Sequence, residues 1–496
     1  MRDFAAYETL YGVDEVELAQ GASTAGAEHL DADPPARLVT LDNAGVATIG
    51  LERRTYLVQR LLDLAPHVGR LVHLSDYIGV SSAWGGHRGM NYRSKITTSP
   101  EGRTGMDNKA EQTLLVIGAP QHDASVYHLS GFLAPDPVIC LRVEGAAGGK
   151  RYLVVSSMEY GRAEREARAD DVLSFDELNV MELARELKSG GRALAAAAAG
   201  LLDKLGATNS PIAVPPNLGV IYADELRARG LKLTPEARLF AELRREKTEE
   251  EVSYIEKTQR SVEEACAHAV SVLREADVAE DGTLLYRSET LTSERLRSEI
   301  DVELLRRGCV ADGTITTGGA QAADPHERGH GPLKAGETII LDIFPVDQTT
   351  RYYADMTRTF VKGDPGEELQ KMYDTVLESQ EAALAMIGPG VNGRNIHEEV
   401  SDVLHERGYK TLQHDQKPGE PLTEGFIHGT GHGVGLEIHE APRVSTVDEE
   451  LVPGDVVTVE PGLYEPGVGG VRIEDLIVVT EYGCRNLTAF PKEFRL

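Results

Sequence analysis

At 496 residues the chain is too long for one ordinary core, and two or three domains are expected. Its 41% hydrophobic and 26% charged residues describe a soluble globular protein, while a net charge of −29 argues against nucleic acid and anionic membrane as partners, since either would be repelled. The scattered cysteines Cys140, Cys266, Cys309 and Cys484 form no C-x-x-C pair; they suggest neither a disulfide framework nor a zinc ribbon and fit a reducing, cytoplasmic setting.

The segment Met1–Leu10 lacks the basic start and apolar core of a signal peptide. Residues 1–108 are the least informative and are taken as an N-terminal extension without an assigned role. Within them Thr55–Leu64 has helical apolar spacing, Gly69–Leu74 suits a strand, and Ser81–Asn108, with Trp84 and Tyr92, reads as loop or linker. From Thr113 the texture changes to strands and helices in alternation: Thr113–Gly118, Pro137–Val143, Arg151–Ser156, then a helical Met158–Ala167. That pattern predicts an α/β layer domain over 109–240. The run Ala193–Leu202 is half a membrane span and ends in Asp203-Lys204, so it reads as a soluble helix. Pro211 to Pro216 predicts a turn.

The next domain, 241–496, opens with a helix from Arg245 whose stripe Val252, Ile255, Val262, Cys266, Val270 faces inward. A second helix carries Leu369, Met372, Tyr373, Val376, Leu384 and Ile387, and Gly388-Pro-Gly390 stops it. Around them lie strand-like runs that each hold one carboxylate. Thr338–Phe344 carries Asp342 and Tyr353–Phe360 carries Asp355, on either side of the polar Asp347–Arg351, which suits adjacent antiparallel strands. Val456–Gly462 carries Glu460, and Val471–Val479 carries Glu474. A carboxylate inside an apolar strand costs several kcal/mol unless paired, hydrogen-bonded or metal-bound. Four together also raise one another's pKa. Arg358 and Arg472 are the near cations, whereas two divalent ions would balance all four acids without any arginine. Between these strands, His428-Gly-Thr-Gly-His432-Gly-Val-Gly-Leu-Glu-Ile-His439 sets three imidazoles among glycines. One such histidine alone is more often hydrogen-bonded in a turn; beside four acids the group reads as holding an ion, moving protons, or both, with His432 as a neutral fifth ligand.

The words D-M-T-R-T-F, H-G-x-G-H-x-x-G, V-E-P-G and R-I-E-D, in the order Asp, Asp, His, Glu, Glu over about the last 250 residues, resemble the pita-bread metallopeptidases. That family includes methionine aminopeptidase, Xaa-Pro aminopeptidase, prolidase and the metal-free creatinase. The resemblance implies an α+β fold: a C-terminal catalytic domain with a curved antiparallel sheet and outer helices, preceded by a smaller α/β creatinase-N-like domain. Tyr127–Phe132 and Ser156–Tyr160 are similar to words of that smaller domain. It further implies a dinuclear site in which Asp355 and Glu474 bridge both ions, Asp342 completes one, and His432 with Glu460 completes the other. One departure is visible: Asp342 and Asp355 stand further apart than is usual, so the hairpin between them is lengthened.

The implied activity is hydrolysis of the peptide bond preceding proline by a metal-bridging hydroxide, in a dipeptidase or an aminopeptidase. Oxygen ligation with one imidazole suits hard to borderline ions; manganese is the family-implied metal, with cobalt or zinc as alternatives. By resemblance Glu460 transfers the proton between water and leaving amine, His439 lies beside the tetrahedral intermediate, His428 lies along the proline pocket, and His326 contacts substrate. Arg443, after the H-E-x-P word, would hold a dipeptide's free carboxylate, and Arg472 is the other candidate substrate-binding arginine. His268 is expected on the surface or in the core; His330, His397, His405 and His414 are expected on the surface. Implied partners are proline-containing di- or oligopeptides and a second copy of the chain as a homodimer, with no nucleic acid and no membrane. The alternatives are an aminopeptidase of broader or methionine specificity, a binding module that has lost catalysis, and metal-free creatinase-like hydrolysis. The intact ligand set disfavours the last two, and the preceding α/β domain disfavours methionine aminopeptidase.

Overall fold

A computed structural model describes residues 40–41, 47–48, 112–143, 149–311 and 313–496. The chain divides into two units, Met1–Thr97 and Thr98–Leu496. In the first, β1 (Thr40–Leu41) pairs antiparallel with β2 (Ala47–Thr48). The helix expected at 55–64, the strand at 69–74 and the loop bearing Trp84 and Tyr92 lie outside the described residues.

The second unit begins with a six-stranded sheet of order β6-β5-β4-β3-β7-β8. Its strands are β3 (Leu114–Gly118), β4 (Val138–Val143), β5 (Lys150–Val155), β6 (Asp171–Ser174), β7 (Ile212–Val214) and β8 (Leu233–Pro235). Successive side chains point to opposite faces, and here both faces are covered, which is why the strands read as unbroken apolar runs. Leu115, Ile117, Ile139 and Leu141 pack with Val180 of α3 (Val180–Leu187), the alanine-rich α4 (Gly190–Lys204) and Leu226 of α5 (Val220–Ala228). Leu114, Val116, Val138 and Cys140 pack on the other side with Val126 of α1 (Ala124–Ser130), Ala163 of α2 (Ser157–Glu166) and Leu239 and Phe240 of α6 (Ala237–Arg245). The turn expected from Pro211 to Pro216 instead contains β7, a buried strand parallel to β3. The prolines bracket it and leave its three ladder residues free to donate. No helix among the described residues is long and apolar enough to cross a membrane.

The remainder is a mixed α/β arrangement with a curved sheet. Helix α7 (Glu249–Glu275) starts four residues later than the expected opening at Arg245. Thr248 caps it in a reciprocal box with Glu251, satisfying backbone donors that would otherwise be orphaned. Its residues Val252, Ile255, Val262, Cys266 and Val270 are all buried. With α8 (Ser293–Arg306), α7 shares a core with β14 (Thr338–Ile343) and β16 (Met356–Val361), which pair antiparallel with Asp342 opposite Thr357. β13 (Ile315–Gly318) lies on the other edge of β14. A five-stranded sheet has the order β18-β17-β19-β22-β23: β17 (Gly431–Gly433), β18 (Glu440–Val444), β19 (Val456–Val459), β22 (Asp475–Thr480) and β23 (Gly483–Asn486). Alternation again splits these strands between two cores. Val456, Leu476 and Val478 face α7, while Val457, Val459, Ile477 and Val479 pack with α9 (Gly366–Met386) and α10 (Gly393–Glu406).

Smaller pairings complete the unit: β9 (Asp277–Val278), β10 (Leu284–Tyr286) and β11 (Glu289–Thr290) form one sheet, β12 (Cys309–Val310) pairs with β15 (Val346–Asp347), and β20 (Gly462–Glu465) with β21 (Gly469–Arg472). The single strand expected over Val471–Val479 is therefore two strands in different sheets. The break falls at Ile473-Glu474, where the Glu474 N–H donates across to the Thr357 carbonyl at 3.1 Å.

Candidate metal centre

Asp342, Asp355, His432, Glu460 and Glu474 line one cleft of about 730 Å³, together with His326, His428, His439, Arg443 and Arg472. Asp342 lies within β14, but Asp355 precedes β16, Glu460 follows β19 and Glu474 joins β21 to β22. Three of the four acids thus sit at strand ends and not inside apolar runs. A strand end lets the polar side chain turn into the cleft while its apolar neighbours stay in the core.

His432 sits on β17 between glycines that nothing larger could replace. A Cβ on Gly431 would meet the Thr458 carbonyl oxygen at 1.9 Å, and one on Gly433 the Ala441 carbonyl oxygen at 2.2 Å. The Gly433 carbonyl lies 3.1 Å from His432 Nδ1, so that nitrogen carries the proton. Nε2 therefore turns a lone pair toward Glu460 Oε1 at 3.4 Å and Asp355 Oδ2 at 3.7 Å. Burial, helped by neighbouring His439, pushes the His432 pKa down to about 3, which keeps the ring neutral. A lone pair facing two ionised carboxylates is repulsive unless a cation or a shared proton lies among them.

The acids carry the same message. Ligand atoms of Asp355, His432 and Glu474 all lie within 4.8 Å of one another. Asp355 Oδ1 and Glu474 Oε1 are buried without a hydrogen-bond partner, which is costly for an acceptor shut away from water. Burial first, and then neighbouring carboxylates, hold Asp355 and Glu474 well above the usual range. Burial likewise raises Glu460 to about 7. Hard oxygen donors plus one neutral imidazole, short of donors and rich in negative charge, fit divalent cations.

Arg472 alters the expected charge balance. It is 4% exposed and donates from Nη2 to Asp342 Oδ2 at 2.7 Å, so one acid is already paired within the protein. Its Nη1 donates to the Tyr464 hydroxyl at 2.7 Å, and that hydroxyl lies 2.9 Å from His428 Nε2. His428 Nδ1 is taken by the Gly429 carbonyl at 2.7 Å, so donation runs from Arg472 through Tyr464 to His428. Tyr464 was not among the sequence candidates, although Glu460, Gly462 and Tyr464 recur at the period of two that marks one strand face. Thr357, which donates to Glu474 Oε2 at 2.8 Å, and Thr458, which accepts from the His432 N–H at 3.0 Å, were also unmarked.

Arg358, the other near cation, points away from the cleft to Asp475 at 2.9 Å. The His439 ring meets His432 edge-on at 4.4 Å between centroids. His268 has a partner, Glu299, at 3.0 Å. His405 and His414 stack at 4.3 Å beside Asp415 and Asp402, and His330 is exposed near Glu327.

His397 departs from the surface expectation: it is 2% exposed, with Nδ1 2.9 Å from Thr430 Oγ1, and burial holds its pKa down to about 4. Above pH 6.5 it is neutral folded or unfolded. Between pH 6.5 and 4 the unfolded chain takes up a proton that the folded chain refuses, so stability falls as the medium is acidified, by about 1.4 kcal/mol per pH unit. Urea unfolding at pH 7.5 and 5.0 should show a difference about 2 kcal/mol smaller in His397→Gln than in the parent.

A mixed α/β protein with a buried carboxylate–imidazole cluster fit for divalent cations is the class that fold and site define. Residues 253–481 match metallopeptidase family M24. The chain is 33% identical over 263 residues to a Xaa-Pro dipeptidase of Pyrococcus furiosus, covering 51% of this chain and 66%, just under two thirds, of that relative. It is 32% identical over 268 residues to an uncharacterised peptidase of Bacillus subtilis, covering 53% and 67%. In structure it is similar to an X-Pro aminopeptidase of Thermotoga maritima, with a TM-score of 0.61 and 25% identity over 78% of this chain and 98% of the other. The chain belongs to metallopeptidase family M24, a family that implies divalent metal ions.

Proposed function

We propose that this protein is a dinuclear metallopeptidase that hydrolyses the bond preceding proline in Xaa-Pro substrates. The observation that carries the metal half of this reading is the His432 lone pair facing Asp355 and Glu460 beside the orphaned oxygens of Asp355 and Glu474. The proline half is supported by the relatives' own descriptions. In this reading Asp355 and Glu474 would be shared by two ions, Asp342 would serve one, and His432 with Glu460 the other, with manganese as first choice and cobalt or zinc as alternatives. Such ions, when bound, acidify water and polarise a scissile carbonyl. Residues 241–496 form the catalytic domain, 109–240 the smaller α/β domain and 1–108 an extension. The three buried cysteines are unpaired, which supports a reducing cytoplasm as the setting. A homodimer is part of the same reading.

The chain's own side chains would do the remaining work. Glu460, held beside the reacting water, would take the proton that water gives up and return it to the leaving nitrogen. Burial, with Arg472 nearby, keeps His428 neutral, and Tyr464 fixes its ring, which in this reading lies along the proline pocket. His439 and His326 contact the substrate. A bond to proline has no N–H, so a site reading it needs shape and a proton donor in place of a backbone acceptor. The deciding assay loads the protein with Mn²⁺ and compares Xaa-Pro with Xaa-Ala peptides. Xaa-Pro should be strongly preferred, and equal rates would replace this reading with a broader aminopeptidase.

Arg443 bears on dipeptide against longer substrate. The acids that could have claimed it are engaged elsewhere: Asp448 pairs with Arg394 at 2.9 Å, and Glu449 accepts from the Arg443 backbone N–H at 2.8 Å and pairs with Arg245. Its guanidinium has no ion pair among the described residues and lines the cleft. A guanidinium grips a free carboxylate through two parallel hydrogen bonds, whereas an internal peptide bond offers no charge. Arg443→Ala should therefore weaken kcat/KM for Xaa-Pro dipeptides by about 1.5–3 kcal/mol and change Xaa-Pro-Yaa tripeptides little. Equal losses on both would make Arg443 structural, and efficient cleavage of long peptides would favour Xaa-Pro aminopeptidase.

A further inference from the structure

The cleft continues past His439 into two adjoining cavities. One, of about 440 Å³, shares Ile438 and His439 with the cleft; the other, of about 590 Å³, shares Phe344 and Ile438. Gln121, Arg351 and Tyr353 line both. Their walls come from the turn before α1 and from the lengthened connection between Asp342 and Asp355.

That connection is clamped so as to present Arg351. Asp347 accepts from the N–H groups of Thr349 and Thr350 at 2.8 and 2.9 Å and pairs with Lys257 at 2.9 Å, while the Arg351 N–H donates to the Asp347 carbonyl at 2.9 Å. Arg351 is held at φ 67°, a left-handed conformation that costs a non-glycine residue roughly 1 kcal/mol. Its guanidinium makes one hydrogen bond, from Nη2 to the Gln121 carbonyl at 3.2 Å, and no ion pair among the described residues. In a chain with 80 acidic against 51 basic residues, an arginine without a carboxylate on a cavity wall is unexpected. The nearby acids are committed: Asp123 accepts from the N–H groups of Ser125 and Val126 and from Asn217, and Glu437 is paired with Arg244.

We propose that these cavities form the subsite for the residue preceding proline and that Arg351 selects an acidic side chain there. The inference rests on the Xaa-Pro reading above. In that reading the proline half of the substrate lies with His428 and Arg443, neither of which lines the two cavities, so the residue across the scissile bond is the one that reaches them. Arg351 then meets an Asp or Glu side chain through charge-assisted hydrogen bonds, and repels Lys or Arg.

The test measures kcat/KM of the Mn²⁺-loaded full chain on Glu-Pro, Asp-Pro, Ala-Pro and Lys-Pro. Arg351→Asn, which suits the left-handed backbone, and Arg351→Glu are run beside the wild type. The wild type should favour Glu-Pro over Lys-Pro by about tenfold or more, the scale of one charge-assisted hydrogen bond. That ratio should collapse toward unity in Arg351→Asn and invert in Arg351→Glu. A wild type that cleaves Ala-Pro but does not prefer acidic residues overturns the subsite alone, as does a ratio that survives in both variants. No cleavage of any Xaa-Pro peptide by the wild type overturns the proposed function, and the subsite with it.

Discussion

Replacing Asp355 or Glu474 by alanine is expected to remove both metal ions together and to lower kcat/KM by about a thousandfold or more. The magnitude follows from losing charge stabilisation worth several kcal/mol, at about 1.36 kcal/mol for each factor of ten. These two carboxylates are the deepest of the four cleft acids, 4% and 1% exposed, and each has one oxygen with no partner in the protein. Those two oxygens have no protein group to bind, although Glu474 Oε2 accepts from Thr357 at 2.8 Å, so a bound ion is the partner they lack. Asp342 differs, because Arg472 already pairs with it at 2.7 Å. Elemental analysis of the purified variants, run beside chelation and Mn²⁺ restoration of the parent, checks the expectation. An Asp355→Ala protein with two metals and full activity would sink the dinuclear assignment.

Lys247→Met should cost about 3–5 kcal/mol of stability, the loss typical of breaking a buried ion pair by removing one partner. Lys247 lies between α6 and α7, and its ammonium pairs with Glu440 at 2.7 Å, their side chains 1% and 3% exposed. The same stretch makes two further ion pairs, Arg244 with Glu437 and Arg245 with Asp455 just before β19. Without Lys247, Glu440 is left buried without its ion partner. Desolvation is the source of the cost, so Lys247→Met combined with Glu440→Leu should recover most of it, since two apolar side chains in place of a buried pair are often neutral or better. Urea unfolding of the two single variants and the double variant closes the cycle. A Lys247→Met loss below about 1 kcal/mol would show that Glu440 is satisfied by other means.

Local pattern made much of this protein legible. The alternation of strands and helices after Thr113 and the stripe on α7 both hold in the structure, because burying apolar side chains with the right period is decided within each element. Boundaries were less legible. The start of α7 depends on Thr248 capping the helix, and the break at Ile473-Glu474 depends on β21 and β22 choosing different partners. Neither changes hydrophobic periodicity, which is the signal that strand reading uses. His397 was placed at the surface because its neighbours in sequence carry no motif, yet it is buried against Thr430, 33 positions away.

The sequence by itself determined the chemistry of the candidate site. The types of its donors and their order along the chain are covalent facts, and the cost of burying acids without cations argues for an ion before any distance is known. Tertiary structure decided what those donors face. Arg472 reaches Asp342 across 130 positions, and Tyr464 comes between Arg472 and His428 only when β20 and β21 pair. The tautomer of His432 is set by the Gly433 carbonyl, and the cavity walled by Gln121 and Arg351 exists only where segments 230 positions apart meet. Charge partners, tautomers and cavities depend on distances of a few ångströms between residues remote in sequence, and those distances are fixed by sheet pairing and core packing.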